Sequence, residues 1–181
     1  MKRTLALPLA VAGTLVAAGF SANALAAGPT VIASVYVPTV DVEGDTANPS
    51  ALLLDVRQPV GRIFWLGAQL ATSLDSDQIL PGVDVEIGSS FNVNVGAQAE
   101  FNHYIAGYAY VGYGAAKLDA TGGNIDGNGV DWGLGLQFRM ADAVIADVGY
   151  TTLFDGNMED SSGTQNSTTI AGPHVGIGYR F

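Results

Sequence analysis

The sequence predicts an all-β protein: eight antiparallel strands closed into a transmembrane barrel, with short turns at one end and long loops at the other. Three observations carry this expectation. Apolar and polar residues alternate with period two in segment after segment, and no helix-period segment competes with them after residue 27. The connections between those segments alternate between short and long. No apolar run after residue 27 reaches the length of about 18 residues that a membrane helix needs, whereas a spanning strand needs only about 9–11 residues with every second one apolar.

The N-terminus reads as a leader. Lys2 and Arg3 precede an apolar run from Leu5 to Phe20, and small residues follow at Ala24–Ala26. That order predicts a secretory signal peptide over residues 1–26 and a mature barrel domain over 27–181. The part after residue 26 holds five basic residues against seventeen acidic ones, with no basic patch, which excludes a nucleic-acid partner. With no cysteine, stability has to come from burial or from a bilayer rather than from disulfides.

The expected strands follow in order. The first covers 30–38. The second, 49–57, turns Leu52, Leu54 and Val56 one way and Leu53, Asp55 and Arg57 the other. The third, 62–73, contains "IFWLGAQLAT" and is apolar on both sides at its start. The fifth, 104–118, places Val111 and Tyr113 outward and therefore Tyr108 and Tyr110 inward. The sixth, 129–139, sets Val130, Trp132, Leu134, Leu136 and Phe138 against Asp131, Gly133, Gly135, Gln137 and Arg139. The seventh, 143–153, sets Val144, Ala146, Val148 and Tyr150 against Ile145, Asp147 and Gly149, and the eighth, 169–181, sets Val175, Ile177, Tyr179 and Phe181 against Gly176, Gly178 and Arg180. Between them, "QPVG", "NH" and "MAD" are tight turns. "TVDVEGDTAN", "SLDSDQILPG", "DATGGNIDGN" and "FDGNMEDSSGTQNST" are long and rich in Gly, Asp, Asn and Ser. Strict alternation gathers all the long loops at one end, the layout of a barrel with short periplasmic turns and long outer loops.

The fourth expected strand, 83–101, is too long for one crossing. At about 3.3 Å per residue it would run roughly 60 Å. Phe91 to Phe101 has the length of one tilted span, with Asn92, Asn94, Gln98 and Glu100 lining the lumen. Val83 to Ser90 is then expected to rise above the membrane, with Asp84 and Glu86 on an exposed sheet. Val83, Val85 and Ile87 become apolar groups on its raised edge, and these five residues form a candidate interaction surface.

The inward faces are rich in glycine, which leaves room for long polar side chains in a lumen only just wide enough for side chains. They also carry Asp55, Arg57, Glu100, Asp131, Arg139, Asp147 and Arg180. Buried charges persist when paired, so these seven are expected to form a network of arginine–carboxylate contacts that plugs the barrel.

The last eight residues, "HVGIGYRF", place His174, Gly176, Tyr179 and Phe181 in the pattern of the C-terminal insertion signal of bacterial outer-membrane barrels. "YVGYGAAKL" and "DWGLGLQFRM" are similar to the fifth and sixth strands of the small eight-stranded outer-membrane family that includes OmpX and the OmpA transmembrane domain. By layout the whole mature chain resembles that family, with the specific motifs from about residue 83 onward. The resemblance implies a Gram-negative outer-membrane location. It also implies contact with outer-membrane lipid and lipopolysaccharide, and passage through the barrel-assembly machinery during insertion. Aromatic residues fall where two interfacial belts would lie. Phe64, Phe101, Tyr104, Phe138, Tyr179 and Phe181 sit at the short-turn end, and Phe91, Tyr113, Trp132 and Tyr150 sit higher.

Chemistry is sparse. A lipid A-modifying barrel would need a serine and a histidine oriented by an acid. Of the two histidines, His103 is followed two positions later by Ile105 where a deacylase pattern has serine. His174 lies in the last strand, apart in sequence from Ser161 and Ser162. No catalytic centre and no cofactor are expected. The outer loops carry Asp41, Glu43, Asp45, Asp75, Asp77, Asp119, Asp126, Asp155, Glu159 and Asp160 with only Lys117 nearby. None of this fits a twelve-residue calcium loop, so a solvated acidic rim is expected rather than a metal site. The functional expectation is a structural, interaction or adhesion role with a surface partner that the sequence does not specify. A narrow solute pore is the alternative.

Overall fold

The computed structural model describes residues 28–121, 123–160 and 163–181. The expected leader and the two loop serines lie outside the described residues. Among the described residues, eleven strands form one antiparallel sheet: β1 (Thr30–Tyr36), β2 (Thr39–Val42), β3 (Asp45–Ala47), β4 (Ala51–Val60), β5 (Phe64–Ser73), β6 (Asp77–Leu80), β7 (Val83–Glu100), β8 (Ile105–Ala120), β9 (Gly123–Arg139), β10 (Val144–Asp160) and β11 (Gln165–Arg180). Eight of them close a ring in the order β1-β4-β5-β7-β8-β9-β10-β11, because β1 pairs with both β4 and β11. Closure leaves no open edge in the ring, as a lipid-exposed sheet requires. The remaining three belong to the outer end. The β2–β3 hairpin pairs along the top of β11, and β6 pairs with the start of β7.

The outer end departs from the sequence expectation. Three of the four long loops are largely strand. The first is the β2–β3 hairpin, β8 runs on to Ala120 and β9 starts at Gly123, and β10 and β11 continue beyond residues 153 and 169 to Asp160 and Gln165. The composition of "GGNIDGN" and "DGNMEDSS" reads as loop, yet the two-residue period persists: Asn124, Asp126 and Asn128 face out while Gly129 is buried. Pairing between long neighbours holds these segments in register, as in Lys117 opposite Asp126 and Met158 opposite Asn166.

The wall of the lower barrel is apolar outward. Val93, Val95, Val111, Leu134, Val175 and Ile177 are each 48–61% exposed. Such a continuous band needs lipid against it. Above it the inside becomes apolar instead. Tyr36, Leu53, Ile87, Leu118, Phe154, Met158 and Ile170 pack together in the outer half of the barrel, none more than 2% exposed. Each such side chain contributes about 1.5–3 kcal/mol by leaving water.

Two register shifts connect the halves. Along β7, Ile87 pairs with Leu118 but Ser89 pairs with Lys117, so Gly88 is an extra residue. Along β10, Thr152 pairs with Ala171 but Phe154 pairs with Ile170, so Leu153 is extra. One inserted residue moves every later side chain to the other face. This corrects the expectation for Val85 and Ile87. Below Gly88 the inward residues are Ser90, Asn92 and Asn94; above it they are Val85 and Ile87, 4% and 1% exposed. They are core, not a raised apolar edge. Val83 is half-buried against the same cluster, while Asp84 is exposed on the outer surface and Glu86 is half-buried.

Candidate functional site

The lower lumen is filled by a ring of hydrogen bonds and ion pairs drawn from six strands. Arg57 on β4 is its cation. Its Nε donates to Asp55 Oδ2 at 2.8 Å, its Nη2 lies 2.6 Å from the same oxygen, and its Nη1 lies 4.0 Å from Asp147 Oδ2. The guanidinium lies on the Tyr108 ring, 3.9 Å from its centroid, and 4.8 Å from that of Trp65. Asp147 on β10 accepts from Tyr108 Oη at 2.9 Å and from Gln137 Nε2 at 3.3 Å, and its Oδ1 is 2.9 Å from His174 Nε2. The other nitrogen of His174 is 3.1 Å from Thr151 Oγ1, which accepts from Tyr110 Oη at 3.0 Å. Gln69 donates to Tyr110 Oη at 3.0 Å and to Asp55 Oδ2 at 3.3 Å, returning the circuit to Arg57. Glycines make room for it. A Cβ on Gly96 would run into the Trp65 ring, and one on Gly133 into Tyr110.

The extra residue of β10 is also satisfied from inside. Asn92 Nδ2 crosses from β7 to donate to the Leu153 carbonyl at 2.8 Å, and Tyr36 Oη donates to the Thr151 carbonyl at 3.0 Å. Between ring and apolar cluster lies Asp131, fully buried, beside Asn94. Neither oxygen of Asp131 meets the distance and angle of a hydrogen bond to any described group, and the amide of Asn94 is in the same position.

Asp147, His174 and Thr151 are in an order similar to an acid–base–nucleophile triad. The Thr151 hydroxyl is engaged by Tyr110, and the residue has no exposed surface.

The outer half presents the opposite chemistry outward. Asp84 and Asp126 join the loop acids on the outside of the sheet, and Lys117 is held by Asp119 at 2.9 Å. The first two outer loops are clipped together: the Asn48 amide donates to Asp77 at 2.7 Å and the Ser50 amide to Asp75 at 2.6 Å. The Ser50 amide holds the Asp75 carboxyl below the usual carboxylate range.

Of the seven expected lumen charges, the structure brings Asp55, Arg57 and Asp147 into one network. Asp131 is in the lumen but outside that network. Glu100 and Arg139 are not lumen plugs. Their side chains are 61% and 23% exposed at the periplasmic rim, 3.5 Å apart, because the lumen widens into a vestibule there. Arg180 lines the same vestibule. The insertion-signal residues divide: His174 is in the ring, Gly176 packs under Ser34, and Tyr179 meets Phe181 edge-on at 4.9 Å on the outer wall. Phe64, Phe101, Tyr104 and Phe138 face outward near the short turns, Phe91 is half-buried on the wall of β7, and Trp132 lies 6.4 Å from Tyr150 higher on the wall. Sequence reasoning did not find Trp65, Gln69 or Thr151. Their phase relative to Leu66, Leu70 and Tyr150 places them inward, but the apolar flanks of "IFWL" hide it.

A family model described as the outer membrane protein beta-barrel domain matches residues 12–181. Among solved structures, the chain is similar to Ail, the attachment invasion locus protein of Yersinia pestis, crystallised with the heparin analogue sucrose octasulfate. The TM-score is 0.58 at 20% identity, covering 85% of this chain and 99% of that one. It is similar to Neisserial surface protein A, with a TM-score of 0.67 at 13% identity, covering 85% and 97%. The N-terminal barrel domain of Pseudomonas aeruginosa OprF aligns with a TM-score of 0.55 at 10% identity, covering 86% and 99%. At these identities the likeness is one of fold. No curated protein matches the chain.

Proposed function

Because the chain belongs to the outer membrane protein β-barrel domain family, and so resides in the Gram-negative outer membrane, we propose that it is a closed barrel that acts through its outer surface as a structural, interaction or adhesion protein. The observation that carries this reading is the two-layer filling of the lumen. A ring of paired polar groups below and an apolar cluster above leave side chains where a solute would pass. Asp147, His174 and Thr151 then act as part of the filling, not as a catalytic centre.

The surface left to act is the acidic outer sheet, with twelve carboxylates from Asp41 to Asp160 around Lys117. The Ail structure holds a sulfated heparin analogue. A polyanion does not suit this surface, and a cationic partner does. Residues 1–26 serve as the cleaved leader, His174, Gly176, Tyr179 and Phe181 as the signal read by the assembly machinery, and the aromatic residues of the wall as anchors to lipid and lipopolysaccharide. The test is planar-bilayer recording on the purified protein, with its folding checked first by migration of unboiled against boiled samples. The expected trace shows no sustained open channel, and a reproducible large conductance overturns the closed-barrel reading.

A further inference from the structure

The apolar filling of the outer half does not end in a smooth cap. Val42, Val85, Leu118, Ala120 and Ile125 line a cavity of about 220 Å³ at the outer mouth, with Asp160 on its rim. Val42, Ala120 and Ile125 are only partly buried because they face this space, and they are continuous with the cluster beneath. The cavity is smaller than the roughly 300–1,000 Å³ of a pocket for a drug-sized ligand, so it suits one short apolar group. The ground around it is anionic. Asp126 and Glu159 lie on the strands that carry the rim, Asp84 and Asp119 on their neighbours, and Lys117 is neutralised by Asp119.

We propose that this cup binds a small cationic amphiphile, with its apolar end on Val85, Leu118 and Ile125 and its positive end at Asp160. The apolar lining supplies affinity by burial, and the acidic rim selects the charge. A neutral or anionic group of the same length gains the first contribution without the second, or against it. The inference rests on the reading of the outer sheet as the part that acts, and names the chemistry it would take.

The test uses the full barrel in nanodiscs of zwitterionic lipid, with methyl-labelled Ile125 and Leu118 observed by NMR. Hexyltrimethylammonium is the probe, with tetramethylammonium and hexanesulfonate as controls. The expected result is a saturable shift of both methyls with hexyltrimethylammonium and at least tenfold weaker binding of either control. Ala120→Phe, which fills the cup, should abolish the shift at Leu118, and Asp160→Asn should weaken binding several-fold. Ile125→Gln, read at Leu118, provides the same check should Ala120→Phe fail to show heat-modifiable migration. Absence of a saturable shift, equal binding of hexanesulfonate, or binding retained in the filled cup overturns the proposal. Bilayer recordings on the same preparation keep the two readings apart. A silent barrel without the shift overturns the cup alone, and a conducting barrel overturns closure whatever the methyls report.

Discussion

Below Gly88 and Leu153 the barrel is polar inside and apolar outside; above them it is apolar inside and acidic outside. The lower half follows the rule of a protein in lipid, where the outward face must be apolar and the lumen takes what remains. The upper half follows the rule of a protein in water. Both use the same continuous strands, so the change of solvent along a strand has to be written into the side-chain pattern. β7 and β10 write it with one extra residue each, which exchanges the faces. β8 writes it without a shift: its inward positions run Tyr108, Tyr110, Gly112, Gly114 and then Ala116 and Leu118. A strand can therefore change solvents either by changing phase or by changing residues within one phase.

Ile87→Asp is the strongest way to break this contrast. The shift at Gly88 turns Ile87 inward, opposite Leu118 and 1% exposed in the apolar cluster. A carboxylate buried there without a partner costs several kcal/mol. The expected outcome is a barrel whose lower half still shifts in an unboiled gel while its outer sheet is cut rapidly by a protease specific for glutamate. An outer sheet as resistant as that of the parent would show that position 87 faces water and that the extra glycine does not set the phase.

The lower half is tested by Arg57→Met, which removes the cation of the ring while keeping much of its bulk. Asp55 and Asp147 lose their shared partner, and breaking a buried pair in this way costs about 3–5 kcal/mol. Urea unfolding in lipid vesicles, followed by tryptophan fluorescence, measures it. A loss below about 1 kcal/mol, the scale of an exposed pair, would mean that the ring is not a unit.

The same division explains what the sequence made legible. Lipid imposes an uninterrupted apolar face, so the strands of the lower half, and the inward positions of Asp55, Arg57, Asp131 and Asp147, could be read from period two alone. Water imposes no such face. The upper strands are built from Gly, Asn and Asp, and those residues signal turns by composition even where long neighbours hold them in a sheet. The shift at Gly88 was hidden for a different reason. In "VDVEIGSSFN" the alternation of residue types runs straight through it, since Ser89 and Ser90 suit either face. Only pairing with β8 shows that the oily face of the upper segment and that of the lower one point in opposite directions. The ring itself was half visible, because its charges stand out in sequence while Gln69, Tyr110 and Thr151 become partners only through closure of the barrel.

Asp131 gives the finest measure of the contrast, because it stands at the boundary and satisfies neither half. Asp147, lower in the lumen and opposite Gln137, takes donors from Tyr108, Gln137 and His174. Asp131 is as deeply buried and has no hydrogen bond of good geometry from a described residue, with Asn94 beside it. A buried carboxylate without compensating donors is destabilising, and an amide of the same shape carries no net charge to desolvate. Asp131→Asn should therefore raise stability by about 1–3 kcal/mol in the same vesicle assay, while Asp147→Asn, which disturbs three hydrogen bonds, should lower it. A loss of stability in Asp131→Asn would place Asp131 within the polar ring after all, and would move the boundary between the two halves up to the level of the extra residues themselves.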